Sequence, residues 1–350
     1  MNKTIIPDHY AYRPVRPLFQ LIMIVITGSI LAVSLYRSSL YFTSTDPTPA
    51  ISRLTPKILE GFAGNPSVVR TGIFISDFLT FDPVKNDFIF KGIVWFELDP
   101  AIISIDMLKK FTFERAEILE RSEPYTRIIN DKLFVRYDVK VRFKTQLQYS
   151  YFPFDDHRIF LQLVHGVVSP DEMIFESSSA DFIVHFSTAA LGWTAIDRHV
   201  VTGFIESDVD PYDPKKNVYH PSVLFSIDYQ RNGIRYALTI LLPLLLIFFV
   251  SLFIFSIDAF KYSTVAVSLA AGSVTALLAY RFVIENFSPA VGYFMLSDYI
   301  FFLFLFASSF VFFFSIILVK LTHLLKKIII MGLHTFVSGV CIYLFFFWLH

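Results

Sequence analysis

Four long apolar runs fill the C-terminal third of this chain, at residues 236–257, 262–280, 299–319 and 328–349. Each is close to the roughly 20 residues that cross the hydrocarbon core of a bilayer. In that solvent only helices and closed barrels satisfy their backbone polar groups, so runs of this length predict membrane helices. Composition agrees: 54% of residues are hydrophobic and 41 are Phe, a membrane-class balance. The formal net charge is +0, which favours no nucleic-acid partner. The single cysteine, Cys341, lies inside the last run. It leaves no disulfide framework and no cysteine metal site.

A fifth apolar stretch, residues 18–35, follows Lys3, Arg13 and Arg16. It reads either as a secretory signal, with Ala32-Val33-Ser34 as its cleavage site, or as a retained anchor helix; its length favours the anchor. Lys261, Lys320, Lys326 and Lys327 mark the short loops between the later runs as cytoplasmic. The basic N-terminus then lies inside, and the segment between the fifth stretch and the four runs lies outside. The chain divides into an N-terminus with signal-anchor helix (1–40), a Thr/Ser/Pro/Gly linker (41–66), an extracytoplasmic domain (67–230) and a four-helix transmembrane domain (231–350).

The extracytoplasmic part alternates apolar and polar residues in short segments, at 68–75, 88–96, 133–143, 159–164, 182–186, 199–206 and 222–228. In residues 133–143, Val135, Tyr137, Val139 and Val141 share one face and Arg136, Asp138, Lys140 and Arg142 the other, as in a half-solvated strand. Many short strands separated by turns predict an antiparallel β-sandwich. Only residues 105–110 and 114–120 read as helical. The fold class is therefore an α+β membrane protein, a β-sandwich followed by four transmembrane helices, plus one N-terminal transmembrane helix.

One loop stands out. Phe152-Pro153-Phe154-Asp155 joins two alternating runs, and its tip is apolar where a solvated turn would be polar. Such a tip needs an apolar surface to touch. This loop resembles the signature loop of the pentameric ligand-gated ion channels, the Cys-loop receptors and their prokaryotic relatives. Thr145 and Ile159 stand where animal members have cysteines; prokaryotic members also lack them. Arg231 and Pro243 match in spacing the arginine before the first pore-domain helix and the proline inside it. Ala279-Tyr280 through Asn286, Pro289, Tyr293 and Asp298 is similar to the bacterial join between the second and third helices. Gly72 to Asp77, through Trp95, looks like the family's first two strands. The resemblance spans about residues 66–349. Residues 1–60 have no counterpart, and the tryptophan expected soon after the loop is absent, Gly166 lying near its place.

The resemblance implies a homo-oligomer, a pentamer, in the bacterial inner membrane. Inorganic ions would flow passively through it, and an unknown small-molecule ligand or protons at the sandwich would gate it. Phe152, Pro153, Phe154 and Asp155, with Arg231 and Pro289, become gating or coupling residues. The loop's own chemistry also fits a packed, inert tip, and Arg231 also fits a simple interface anchor. Thr264, Ser268, Ala271, Thr275, Leu278 and Phe282 share one helix face and are the pore-lining set. Small residues in membrane helices also serve close packing, and counting from Pro243 favours Ser273 and Leu277 instead. Asp258 and Lys261 flank one end of this helix, Arg281 and Glu285 the other; Arg281 and Glu285 are spaced to pair. Asp258 tilts the reading toward cations. Ligand candidates are Trp95, Trp193, Tyr212 and Tyr219, although the tryptophans also fit a core. The acidic run from Asp208 to Asp213 has no EF-hand spacing and reads as a solvated turn. His157, His165 and His185 are candidate pH sensors. Neither a cofactor, a metal site nor an enzyme constellation is expected; membrane lipids are partners and nucleic acid is not. The alternative function is a non-conducting membrane sensor or envelope assembly protein of the same architecture.

Overall fold

A computed structural model describes residues 13–55, 66–185, 192–207, 217–232 and 235–348. The chain forms two compact units. A sheet unit comprises the described parts of Ser44–Gln148 and Asp156–Asn232, and a helical unit those of Met1–Thr43, Tyr149–Asp155 and Gly233–His350.

In the sheet unit, β1 (Ser52–Arg53), β11 (Trp193–Ser207), β12 (Val218–Arg231), β8 (His157–His165) and β4 (Phe111–Phe113) form one sheet in that spatial order. The other runs β10 (Phe182–Val184), β2 (Ser67–Asp82), β3 (Asp87–Leu98), β7 (Lys132–Phe143) and β5 (Ala116–Arg121). β6 (Tyr125–Ile129) joins it on β7, and β9 (Met173–Glu176) on β2. Both sheets contribute to one apolar core. Phe88, Phe90, Val94 and Phe96 come from β3; Val135, Tyr137, Val139 and Val141 from β7; Ile159, Leu161 and Leu163 from β8; Val223, Phe225 and Ile227 from β12. The alternation expected for residues 133–143 is present in β7, with its charged residues facing away from the core.

Three expectations need correction. The sheets are not wholly antiparallel, because β9 and β10 both run parallel to β2. β2 is 16 residues long, and two short strands share its edge: β9 pairs with Ser67 to Arg70, β10 with Ile73 to Ile75. Between them, a 3-10 turn at Ser179–Asp181 brings Asp181 to 2.6 Å from Arg70. Residues 114–120 are not helical. They hold the turn into β5, Arg115 taking φ 53°, and β5 pairs with β7. Only residues 105–110 give a helix, at Ile105–Leu108, capped by the Ser104 hydroxyl. The stretch 41–66 is not all linker either. Ser44 onward belongs to the sheet unit, and β1 pairs with β11; residues 56–65 lie outside the described residues.

The helical unit holds α1 (Pro17–Ser38), α3 (Arg235–Leu252), α4 (Ala259–Phe287), α5 (Leu296–Ile316) and α6 (His323–Tyr343), α2 being the short Ile105–Leu108 helix of the sheet unit. Among the described residues, these five helices are long and apolar enough to cross a membrane. α4 covers 29 residues with a kink at Tyr262 (φ −134°, ψ 41°), and the Asp258 carboxylate caps its start by accepting from Phe260 N–H at 3.1 Å. The buried stripe of α1 is largely polar: Gln20, Thr27, Ser34 and Ser38 accompany Leu31 and Leu35. Gln20 donates to the Leu252 carbonyl at 2.9 Å, Thr27 bonds His334 Nδ1 at 2.8 Å, and Ser38 donates to the Phe345 carbonyl at 3.3 Å. Leu18, Leu21, Ile22, Val25 and Val33 face outward.

The β3 register has a direct test. Phe96→Ala removes a fully buried ring and should cost about 3–5 kcal/mol. Its outward neighbour Glu97 holds only a 3.9 Å ion pair with Lys132, so Glu97→Ala should cost less than about 1 kcal/mol. Urea unfolding followed by tryptophan fluorescence separates the two.

Candidate functional site

The loop Tyr149–Asp155 clusters with the helices, while the residues on both its flanks belong to the sheet unit. It folds as two successive turns, Phe152 N–H donating to Tyr149 O at 2.9 Å and Phe154 N–H to Tyr151 O at 2.8 Å. The Phe152–Pro153 peptide is cis. A helix leaves its first N–H groups without partners in its own ladder. Here Leu296 N–H donates to Ser150 O at 2.9 Å and Ser297 N–H to Phe152 O at 3.0 Å, so the loop caps α5. Tyr149 N–H donates to the Tyr293 hydroxyl at 2.9 Å, and the Thr43 hydroxyl donates to Phe154 O at 2.8 Å. Phe154 meets Phe345 edge-on, centroids 5.6 Å apart. Phe152, Pro153, Phe154 and Asp155 are all buried. The apolar tip is thus a packed plug in the helical unit.

The α4–α5 connection carries the charges beside it. Arg281 Nε lies 3.0 Å from Glu285, the pairing expected from the sequence. Its Nη1 also bonds Asp298, and its guanidinium lies 5.4 Å from the Phe301 ring centre. Asp298 in turn accepts from Met295 N–H at 2.7 Å, capping its own helix. Arg281, Glu285, Tyr293 and Asp298 line a cleft of about 510 Å³ with the buried Pro289 at its edge. The spacing that picks out Asp298 carries no sign of its partner Arg281, 17 residues earlier in the chain.

α4 has two distinct faces. Ala266, Ala270, Ser273, Leu277 and Ile284 are buried. Thr264, Ser268, Thr275, Leu278 and Phe282 are exposed and Ala271 is half-buried, which places that stripe opposite the buried one at 100° per residue. Ser273 and Leu277, the alternative register, point into the helical unit.

Among the described residues, the aromatic ligand candidates Trp95, Trp193 and Tyr219 do not converge within one chain. Trp95 is outward on β3, stacked on Phe134 at 5.9 Å and 5.8 Å from the Arg70 guanidinium. Trp193 is buried, 5.3 Å from His157 and 4.3 Å from the Arg231 guanidinium. Tyr219 bonds Glu206 at 3.2 Å. On the β11–β12 ribbon Trp193 is opposite Arg231 and Glu206 is opposite Tyr219; twelve strand residues separate these pairs by about 40 Å. Tyr212 and the acidic run from Asp208 to Asp213 lie outside the described residues.

Other groups of this unit had no sequence signal. The Asp46 carboxylate accepts from Gln148 N–H at 2.6 Å and Arg158 N–H at 2.7 Å, and lies 3.2 Å from His157 Nδ1. Arg158 grips Asp228 with two bonds of 2.5 and 2.7 Å, which raises the guanidinium pKa further. The Arg231 N–H donates to Asp156 at 2.9 Å. Asp46 sits in a Ser/Thr/Pro run that looks like linker, and the Arg158–Asp228 match needs the β8–β12 register.

Among the candidate pH sensors, His165 has a defined tautomer. Its Nδ1 accepts from Val168 N–H at 3.2 Å, so the proton sits on Nε2, which donates to Met107 O at 2.9 Å. Burial pushes its pKa below the usual value, outweighing the Met107 bond. The folded state therefore binds fewer protons than the unfolded state below about pH 6.5. The contribution is full above that pH and fades as pH falls toward the depressed folded value. His165→Gln should flatten the acid limb of the stability–pH curve below about pH 6.5, measured by urea unfolding at stepped pH.

No protein-family model and no curated protein matches this sequence, which leaves its function to be read from its residues and their geometry.

Proposed function

We propose that the protein is a subunit of a homopentameric, multi-pass membrane channel of the bacterial inner membrane. Ligand binding or protonation at an extracytoplasmic β-sandwich gates passive ion flow. The observation that carries this reading is the Tyr149–Asp155 loop, a segment flanked by sheet-unit sequence whose carbonyls cap the first turn of α5. A displacement of that loop acts on α5 directly, and through Asp298 on Arg281 of α4. Phe152, Pro153, Phe154 and Pro289 serve as coupling residues in this reading, with Asp155 and Arg231 as their polar counterparts.

α4 supplies the pore in this proposal. Only 22% of its apolar window is buried, against 50% in α3, so most of its surface remains for neighbours. Its exposed stripe carries the Thr264, Ser268 and Thr275 hydroxyls, which can replace part of an ion's water shell, with Leu278 and Phe282 as apolar rings that gate by dewetting. α1 supports a membrane setting: it buries polar side chains and turns apolar ones outward, the arrangement suited to an apolar solvent. The dispersed aromatic candidates favour, as the second reading, a sensor of the same architecture that does not conduct.

Electron microscopy of the purified protein should show fivefold particles; a monomer or dimer overturns the channel reading. Reconstituted liposomes should pass ions, and Thr275→Trp should abolish that flux while leaving the particle symmetry intact. Wild-type pentamers without flux would leave the sensor reading instead.

A further inference from the structure

The sheet unit contains a cleft of about 290 Å³ that neither Trp95 nor Trp193 lines. Residues 47–50, from the stretch that looked like linker, form one wall. That wall is fixed at both ends. Asp46 is bonded to the Gln148 and Arg158 amides and has a fully buried side chain. The Gln162 amide donates to the Ala50 carbonyl and to the Ser222 hydroxyl, both at 3.2 Å. Pro47 and Pro49 stiffen the span between, since proline fixes φ. A wall held this way loses little freedom when a ligand enters.

The lining is charged in a balanced way. Arg115 and Lys144 bring two cations, and Glu114 and Glu206 two carboxylates. Among the described residues neither cation forms an ion pair. Glu206 accepts from Asn217 at 2.7 Å and from Tyr219, which holds it in place. Thr145 is 4% exposed, and its hydroxyl has no hydrogen-bond partner although it lines this cleft. Buried polar groups are usually partnered, so a hydroxyl without a partner in the lining of a cleft is a group that a bound molecule can satisfy.

We propose that this cleft binds a small zwitterion of amino-acid size. Its carboxylate is taken by Arg115, Lys144 and the Thr145 hydroxyl, and its ammonium by Glu114 and Glu206. A plain anion would satisfy the cations and face two carboxylates without compensation; a plain amine would do the reverse. A ligand with both charges meets the whole lining. The volume lies at the small end of the range for organic ligands. This site does not depend on ion conduction, and its test reads binding alone.

Full-length protein in detergent micelles is titrated calorimetrically with each free proteinogenic amino acid. Any binder is then compared with its N-acetyl and methyl-ester forms. At least one free amino acid should bind saturably, and each blocked form should bind roughly tenfold or more weakly. Lys144→Met and Glu114→Gln, both exposed positions, should each weaken binding by a similar factor, and Thr145→Val should weaken it while leaving unliganded thermal unfolding unchanged. The proposal is overturned if no free amino acid binds at millimolar concentration, if the N-acetyl form binds as well as the free one, or if the variants bind like the wild type.

Discussion

The first turn of α5 has amide groups that its own helix cannot satisfy, and the Ser150 and Phe152 carbonyls satisfy two of them. Much of the helical unit is arranged around this junction. The same loop accepts from Thr43 just after α1, bonds Tyr293 in the α4–α5 connection, and rests Phe154 against Phe345 beyond α6. Asp298 adds a second tie in the same turn, capping α5 with one oxygen and holding Arg281 of α4 with the other. Buried peptide groups and a buried carboxylate leave little slack, so the loop and the two helices must move together or break these bonds.

The sheet unit obeys the same rule with side chains. Its buried carboxylates are not stranded: Asp181 meets Arg70, Asp228 meets Arg158, and Asp46 collects two backbone amides. For Asp181, burial pushes the carboxyl up, but the bonds from Ser178 and Arg70 outweigh it and hold the pKa below the usual range. Asp46 does more than fill a hole. By pinning residues 44–50 across the sheet it turns an apparent tether into the wall of a cleft. The Thr145 hydroxyl beside that wall has no hydrogen-bond partner and faces the side of the fold where the cleft opens.

α4 poses the opposite problem, an apolar helix with only 22% of its apolar window buried within its own chain. Its inward face is small and regular, with Ala266, Ala270 and Ser273 allowing close approach. Its outward face mixes hydroxyls with Leu278 and Phe282. In the proposed pentamer five such faces line one axis, which gives the hydroxyls water or ions rather than lipid as their surroundings.

The sequence alone located the elements whose signals are local. Apolar length marked the five candidate spans, and period-two alternation marked the longer strands, β7 down to the identity of its inward residues, but not β1, β4, β5, β6 or β9. The Phe-Pro-Phe tip announced that it needed an apolar surface because its own chemistry is incompatible with water. Spacing on one helix also found Arg281 with Glu285. What depends on residues distant in the chain was invisible. The parallel pairing of β9 and β10 follows from how two short strands share one long edge. Ser150 and Phe152 reach Leu296 and Ser297 across more than a hundred residues, and Asp46 reaches His157 across a comparable gap. The inward register of α4 also waited on tertiary packing, because its small residues serve a helix contact and a pore equally well. Local pattern fixes which face of an element is apolar; only the folded chain decides what that face, and each buried polar group, finds as its partner.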